Sequence, residues 1–254
     1  MSSFAVVIPA RYASERLPGK PLREIAGKFL VQHVFERATE SAATEVIVAT
    51  DDERILKAAE AFGATACMTD SRHRSGTERL AEVSRLRNWP DDRIVVNLQG
   101  DEPLMPPELI NQCAALLQSA SVAMATLASP FASAEVFNDP NIVKVIVDSN
   151  DDAIYFSRAA IPYSRSPRAR DLAMGTAMHH HGIYAYRTGL LQKIVAAPRS
   201  AIEECEQLEQ LRALEMGIRI RVGRPARRPG PGVDTEADLA EVERLIEARL
   251  EDGP

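Results

Sequence analysis

The chain has 254 residues, a formal net charge of −6, 45% hydrophobic and 26% charged residues. That size suits one large α/β domain, or one with an inserted lobe, and buries enough surface to need no disulfide or metal staple. The negative balance argues against a nucleic-acid partner, which a dominant basic face would have to hold, and leaves room for a small anion on a local basic loop.

Residues 4–10, FAVVIPA, predict a strand buried on both faces. The loop that leaves it, IPARYASERLPGKPL at 8–22, carries Arg11, Arg16 and Lys20, with Gly19 between two prolines. Residues 29–41 set Leu30, Val31, Val34, Phe35 and Ala38 at helical spacing, and EVIVAT at 45–50 is a second strand. Asp51 and Asp52 open a helix that closes at Gly63. A helix at 75–86 precedes DRIVVNLQGDEP at 92–103, a third long strand stopping in a turn. A Pro-led helix at 106–118 and a strand SVAMATLA come next.

VKVIVD at 143–148 and AIYFSRA at 153–159 flank SNDD as a hairpin. The polar, proline-punctuated run 161–178 predicts a mobile loop, and HHHGIYAYR at 179–187 is strand-like. Residues 202–217 predict one helix with Cys205, Leu208, Leu211 and Leu214 on a stripe and Gly217 as its stop. IRIRVGR is a strand and RPARRPGPGVD a loop. A last helix follows, with Leu239, Val242, Leu245 and Ile246 facing inward. The alternation predicts an α/β fold with a mostly parallel central sheet flanked by helices. Residues 1–254 form one domain, with about 130–200 as an inserted smaller lobe. Such sheets bind ligands at the carboxyl ends of strands, where the loops 9–22 and 99–103 lie.

Cys67, Cys113 and Cys205 show no metal or redox spacing and suit reduced thiols. The start of the chain lacks a basic, apolar leader pattern, and no apolar run reaches membrane-helix length. These features predict a cytoplasmic protein with no membrane partner.

The basic loop is either a phosphate cradle or a solvated turn. Lys20 is followed by Pro21, so it is not a Walker loop. Asp101 ends a buried strand and suits either Mg²⁺ or a turn; Asp234 suits either Mg²⁺ or a helix N-cap, a place Thr235 would serve equally, or both jobs at once. Cations and acids on separate strand-end loops together favour phosphoryl-type transfer. In HHH at 179–181, strand alternation sets His179 and His181 opposite His180, which disfavours a shared metal and leaves the outer two as surface or interface residues.

Seven stretches, IPARYASERLPGKPL, RSGTERLAE, VNLQGDEP, YFSRAAIP, HGIYAYR, LEQLRAL and GVDTEADL, resemble the 3-deoxy-D-manno-octulosonate (Kdo) cytidylyltransferase family, in order, from residue 8 to 239. The resemblance implies a nucleotide-diphospho-sugar-transferase-like fold with a small β-rich dimerisation and sugar-binding lobe, and a homodimer. It implies Mg²⁺-dependent transfer of CMP from CTP to the C2 hydroxyl of Kdo, with release of pyrophosphate, for lipopolysaccharide biosynthesis. By position, Arg11, Ser14 and Lys20 cradle the CTP phosphates, assisted by Arg16. SGTER at 75–79, with Ser75, Gly76 and Thr77 foremost, and Ala10 help form the cytosine and ribose pocket. Gln99 lies between nucleotide and sugar, and Asp101 and Asp234 hold the metal. Arg158, His180, Tyr184, Glu209 and Gln210 line the sugar site. Lys20, Arg11 and Asp101 carry catalysis. One departure is Glu15, where the family commonly has Thr or Ser; an acid beside a triphosphate predicts a side chain turned away toward Arg11 or Arg16. The rival readings are a cytidylyltransferase for 8-amino-Kdo or a sialic acid, a nucleotide-sugar glycosyltransferase, and a nucleotide sensor.

Overall fold

The computed structural model describes residues 3–13, 16–119 and 121–251. In chain order the elements are β1 (Phe4–Ala10), β2 (Glu24–Ile25), β3 (Lys28–Phe29), α1 (Leu30–Thr39), β4 (Glu45–Thr50), α2 (Glu53–Ala61) and β5 (Thr65–Met68). They continue with α3 (Gly76–Leu86), β6 (Ile94–Asn97), α4 (Pro107–Ala115), β7 (Met124–Pro130), α5 (Ala134–Asn138), β8 (Lys144–Val147) and β9 (Ala153–Ser157). The last are α6 (Arg170–Thr176), β10 (Met178–Arg187), α7 (Thr188–Ala196), α8 (Ala201–Glu206), α9 (Gln210–Glu215), β11 (Ile220–Gly223) and α10 (Glu236–Glu251).

The central sheet runs β11-β7-β10-β6-β1-β4-β5. Parallel pairs join β1 to β4 and β6, β4 to β5, and β11 to β7, while β10 is antiparallel to both β6 and β7. The β8–β9 hairpin branches off β10. Alternation along β1 explains the two layers. Val6 and Ile8 face a core shared with α1, α2 and α4, whereas Val7 faces one shared with α3 and α7. Each such fully buried Val or Ile contributes about 1.5–3 kcal/mol. A third core packs α10, through Leu239, Val242 and Ile246, on Leu17, Ile25 and Leu30. It brings the end of the chain against the basic loop, and the Arg23–Glu236 ion pair at 2.5 Å and the bond from Ala26 N to Glu243 at 3.2 Å follow from it.

Several sequence expectations shift. Residues 178–187, assigned to the smaller lobe, form an interior strand of the main sheet. The third strand is only Ile94–Asn97, because residues 98–102 turn into the loop that reaches the cavity described below. Residues 161–178 include a 3-10 turn and α6, with Ala173 buried as an apolar anchor. The single helix over 202–217 is two: Gln207 adopts a left-handed conformation (φ 54°) that ends α8, leaving Cys205 exposed.

Candidate active site

A cavity of about 760 Å³ opens at the carboxyl ends of β1 and β6, walled also by the start of α3, Glu209 and Asp234. Arg11, Arg16, Lys20, Arg74 and Arg79 line it, against Asp101, Glu209 and Asp234, so the wall favours an anion.

The basic loop is held open by backbone geometry. Gly19 (φ 68°) caps the 3-10 turn of Lys20–Leu22, and a Cβ there would lie 3.2 Å from the Tyr12 ring. Tyr12 is covered on its face by the Arg54 guanidinium, 3.3 Å from the ring centroid. Gly100 lets the turn after β6 approach the loop, since a Cβ would sit 2.8 Å from the Pro9 carbonyl oxygen.

Where these segments meet, Lys20 Nζ donates to Asp101 Oδ2 at 2.6 Å, the Val233 carbonyl at 3.0 Å and Asp234 Oδ1 at 3.1 Å. Burial pulls the Lys20 ammonium down, but Asp101 and Asp234 outweigh it and raise its pKa above the ordinary lysine value. Arg16 also reaches Asp234, at 3.0 Å. Thr235, not Asp234, caps α10: its hydroxyl accepts from Asp238 N at 3.2 Å. The Asp234 carboxylate is thereby left to the cavity. Glu102, next to Asp101, is pushed up to about 8, first by burial and then by the charges of Asp101 and Asp234, so it adds little negative charge at neutral pH. Two carboxylates and a carbonyl already surrounding one cation are the hard oxygen donors that Mg²⁺ prefers.

Arg11 and Arg74 line the cavity, and neither guanidinium has a hydrogen bond or ion pair among the described residues. Ala10, Gly76 and Gln99 are on the wall as expected. Ser75 is too, and it caps α3 by accepting from Glu78 N at 3.3 Å. Thr77 is not: it is buried against the Tyr186 hydroxyl, facing a minor crevice that shares only Ser75 and Glu209 with the cavity. Ser14 and Glu15 lie outside the described residues.

Of the expected sugar residues, only Gln99 and Glu209 are on this wall. His180 and Tyr184 sit in an aromatic row on β10, with Phe156 5.0 Å from His180 and Tyr184 5.3 Å from it. The row adjoins the cavity through Gln99, whose amide donates to Asn97 at 3.2 Å; Asn97 is the register partner of Tyr184. The Thr126 hydroxyl gives its proton to the Ile183 carbonyl at 2.7 Å, so His180 Nε2, 3.1 Å away, is the donor to it. Burial, then the neighbouring histidines, push His180 down to about 3, so the ring is neutral. Thr126 also lies near Tyr184 but outside hydrogen-bond geometry, and the Tyr184 hydroxyl and Gln210 Nε2 are buried without a hydrogen-bond partner among the described residues. Arg158 is off the cavity wall, its Nε on the Glu206 carbonyl at 2.8 Å. The alternation of the histidines is as expected, but His181 is buried on Ser129 at 3.0 Å rather than lying at the surface.

Sequence reasoning missed His73 and Arg74 on the cavity wall, where Arg79 of the expected 75–79 stretch also lies. The signal was there: RHRSGTER surrounds a helix cap with cations. Arg79 is buried between Thr69 and Asp51, the latter at 3.0 Å, and ties the ends of β4 and β5 to α3. His73 Nε2 lies 2.5 Å from Glu82, while Glu78 accepts from Arg74 N at 2.8 Å, so two carboxylates of α3 fix the 73–75 wall.

A family model described as cytidylyltransferase matches residues 5–220. A 3-deoxy-manno-octulosonate cytidylyltransferase of Thioalkalivibrio sulfidiphilus is 50% identical over 250 residues, covering 97% of this chain and 100% of the relative. One of Aeromonas salmonicida is 52% identical over 256 residues, covering 96% and 99%. A solved CMP:2-keto-3-deoxy-manno-octonic acid synthetase complexed with CTP superposes with a TM-score of 0.88 at 44% identity, covering 97% of this chain and 99% of that one.

Proposed function

The chain belongs to the 3-deoxy-manno-octulosonate cytidylyltransferase family, and on that premise we propose how its cavity carries out the reaction. It is a nucleotidyltransferase that forms CMP-Kdo from CTP and Kdo, a product used in lipopolysaccharide biosynthesis. The observation that carries the site assignment is the meeting of two loops on one ammonium, Lys20 on Asp101 at 2.6 Å and on Asp234 at 3.1 Å.

The triphosphate of CTP lies along Arg11, Arg16, Lys20 and Arg74. Arg11 and Arg74 have no partner among the described residues, and Lys20 exchanges its carboxylates for phosphate oxygens. Ser14 belongs to this loop by position. Ala10, Ser75 and Gly76 take the cytosine and ribose end, with Thr77 supporting them from behind through Tyr186. Asp101 and Asp234, with the Val233 carbonyl, would hold Mg²⁺, which when bound would supply positive charge to the nucleotide phosphates. The anomeric hydroxyl of Kdo attacks the α-phosphorus, the new O–P bond forming as the bond to pyrophosphate breaks. Fixed cations stabilise the charge that develops on the phosphoryl oxygens.

Kdo lies between Gln99, Glu209 and the β10 row. The Glu209 carboxylate has no partner among the described residues, and the unsatisfied Tyr184 and Gln210 groups suit a polyhydroxylated ligand. Arg158, with Nη2 unengaged among the described residues, takes the sugar carboxylate as a fork, and the neutral His180, its one proton on Nε2, offers Nδ1 as an acceptor for a sugar hydroxyl. The protein acts as a homodimer through the lobe of about 130–177, which carries exposed Ile154, Tyr163 and Leu172. Its three free cysteines suit the cytoplasm, and among the described residues no helix is long and apolar enough to cross a membrane.

Pyrophosphate release across four nucleoside triphosphates and Kdo, 8-amino-Kdo and a sialic acid tests this assignment. Turnover is expected with CTP and Kdo. Faster release with another sugar acid would move the substrate, and none with any pair would sink the reading.

A further inference from the structure

Lys144 is 0% exposed, yet it pairs with no carboxylate among the described residues. Its ammonium donates to three main-chain carbonyls instead: Asp139 at 2.6 Å, Ile142 at 2.7 Å and Arg158 at 2.8 Å. All three N–H groups are used, which is what makes a buried charge tolerable. Burial lowers its pKa, and Asp139 opposes the shift. A methionine would fill the volume but take the donor from all three carbonyls, so the ammonium is there for what those carbonyls hold.

The reason lies in what the three carbonyls belong to. One is the carbonyl of Arg158 itself. The other two pin residues 139–142, and the carbonyl of Pro140 in that segment accepts from Arg158 Nη1 at 3.4 Å. The remaining holds on Arg158 come from Glu206, which accepts from its backbone N–H at 2.9 Å and, through its own carbonyl, from Nε at 2.8 Å. Lys144 also begins β8, opposite Ser157 of β9 and His179 of β10, so the knot sits where the hairpin leaves the main sheet.

We infer that Lys144 is a positioning residue for the sugar acid: it fixes the backbone of Arg158 and the segment that aims its guanidinium, and so sets the Nη1–Nη2 edge before Kdo arrives. The inference rests on the reading of Arg158 as the Kdo carboxylate fork. Lys144 touches neither substrate.

Kinetics of Lys144→Met, Arg158→Ala and the double variant test it. Lys144→Met is expected to raise the KM for Kdo at least tenfold while the KM for CTP stays within about twofold. In the double variant the Kdo effect is expected to match that of Arg158→Ala alone, because the two act through one contact. Equal rises for both substrates, or effects that multiply in the double variant, overturn the inference. If Arg158→Ala leaves the Kdo KM unchanged, the reading of Arg158 fails and the inference with it. If Arg158→Ala raises it and Lys144→Met does not, only the inference fails. Should Lys144→Met not fold, Lys144→Gln, which keeps two N–H donors, carries the same comparisons. Failure of both to fold assigns Lys144 a purely structural role and overturns the proposal.

Discussion

Lys20 is the residue on which two opposed demands fall. In the free protein it neutralises Asp101 and Asp234, and in the proposed reaction it serves phosphate oxygens. A compact ammonium suits both, because it is a point charge on a flexible stem that moves between partners. A guanidinium is planar and larger, and does not fit between two carboxylates and a carbonyl within 3.1 Å. Lys20→Ala is therefore expected to lower kcat by on the order of 10²–10³, the usual effect of removing one transition-state donor. Lys20→Arg is expected to recover little of it despite keeping the charge. Steady-state assays at saturating CTP check both, and a loss under threefold in Lys20→Ala would remove Lys20 from catalysis.

At the scale of elements, the strands and long helices were legible because their signal is local. FAVVIPA and EVIVAT carry continuous apolar runs, and both are parallel strands buried on two faces. The errors fall where tertiary contact decides. Residues 98–102 turn away from β6 with Gly100 packed close on the Pro9 carbonyl, and Gln207 breaks the leucine stripe ahead of Glu209, which lies on the cavity wall; neither neighbour is written in the local pattern. The same holds for the site. The basic loop and Asp101 were legible as residue types at strand ends, but the role of Thr235 as the cap that frees Asp234 depends on geometry. Lys144 looked like one polar residue in an alternating strand, and only its depth marks it out. The lobe of about 130–177 is the element whose purpose is least served by one chain. Tyr163 is 87% and Leu172 71% exposed, which is costly for large apolar groups unless a second copy covers them. Light scattering is expected to give a dimer for the native chain and a monomer for a Tyr163→Asp, Leu172→Asp double variant. An unchanged dimer would place the contact elsewhere.

For the molecule as a whole, the junction of lobe and sheet sets how stability responds to acid. His180 and His181 lie side by side on β10, and burial, followed by the repulsion of neighbouring histidine charges, pushes each down to about 3. In the unfolded chain each titrates near 6.5. Between these values the unfolded state binds more protons than the folded one, so stability rises with pH across the window and is lost on acidification from 6.5 toward 3. Each histidine contributes a slope of up to about 1.4 kcal/mol per pH unit once the unfolded form is fully protonated. Carboxylates held low by their partners, such as Asp52 beside Arg54 and Asp238 beside Thr235, also destabilise the fold in acid, but their unfolded forms protonate only near pH 4. From 6.5 to 5 the loss from the histidines is opposed by Glu102, whose raised pKa leaves the folded state holding a proton that the unfolded state lacks, so that group gains stability on acidification. His181→Asn removes one titrating ring and offers an amide to the Ser129 hydroxyl, which the ring meets at 3.0 Å. Urea unfolding of this variant at pH 6.5, 5.75 and 5 is expected to show a loss of stability over that interval smaller than the native one by the contribution of one histidine. An undiminished loss would mean that His181 is protonated in the folded protein, and that the β10 junction is open to water.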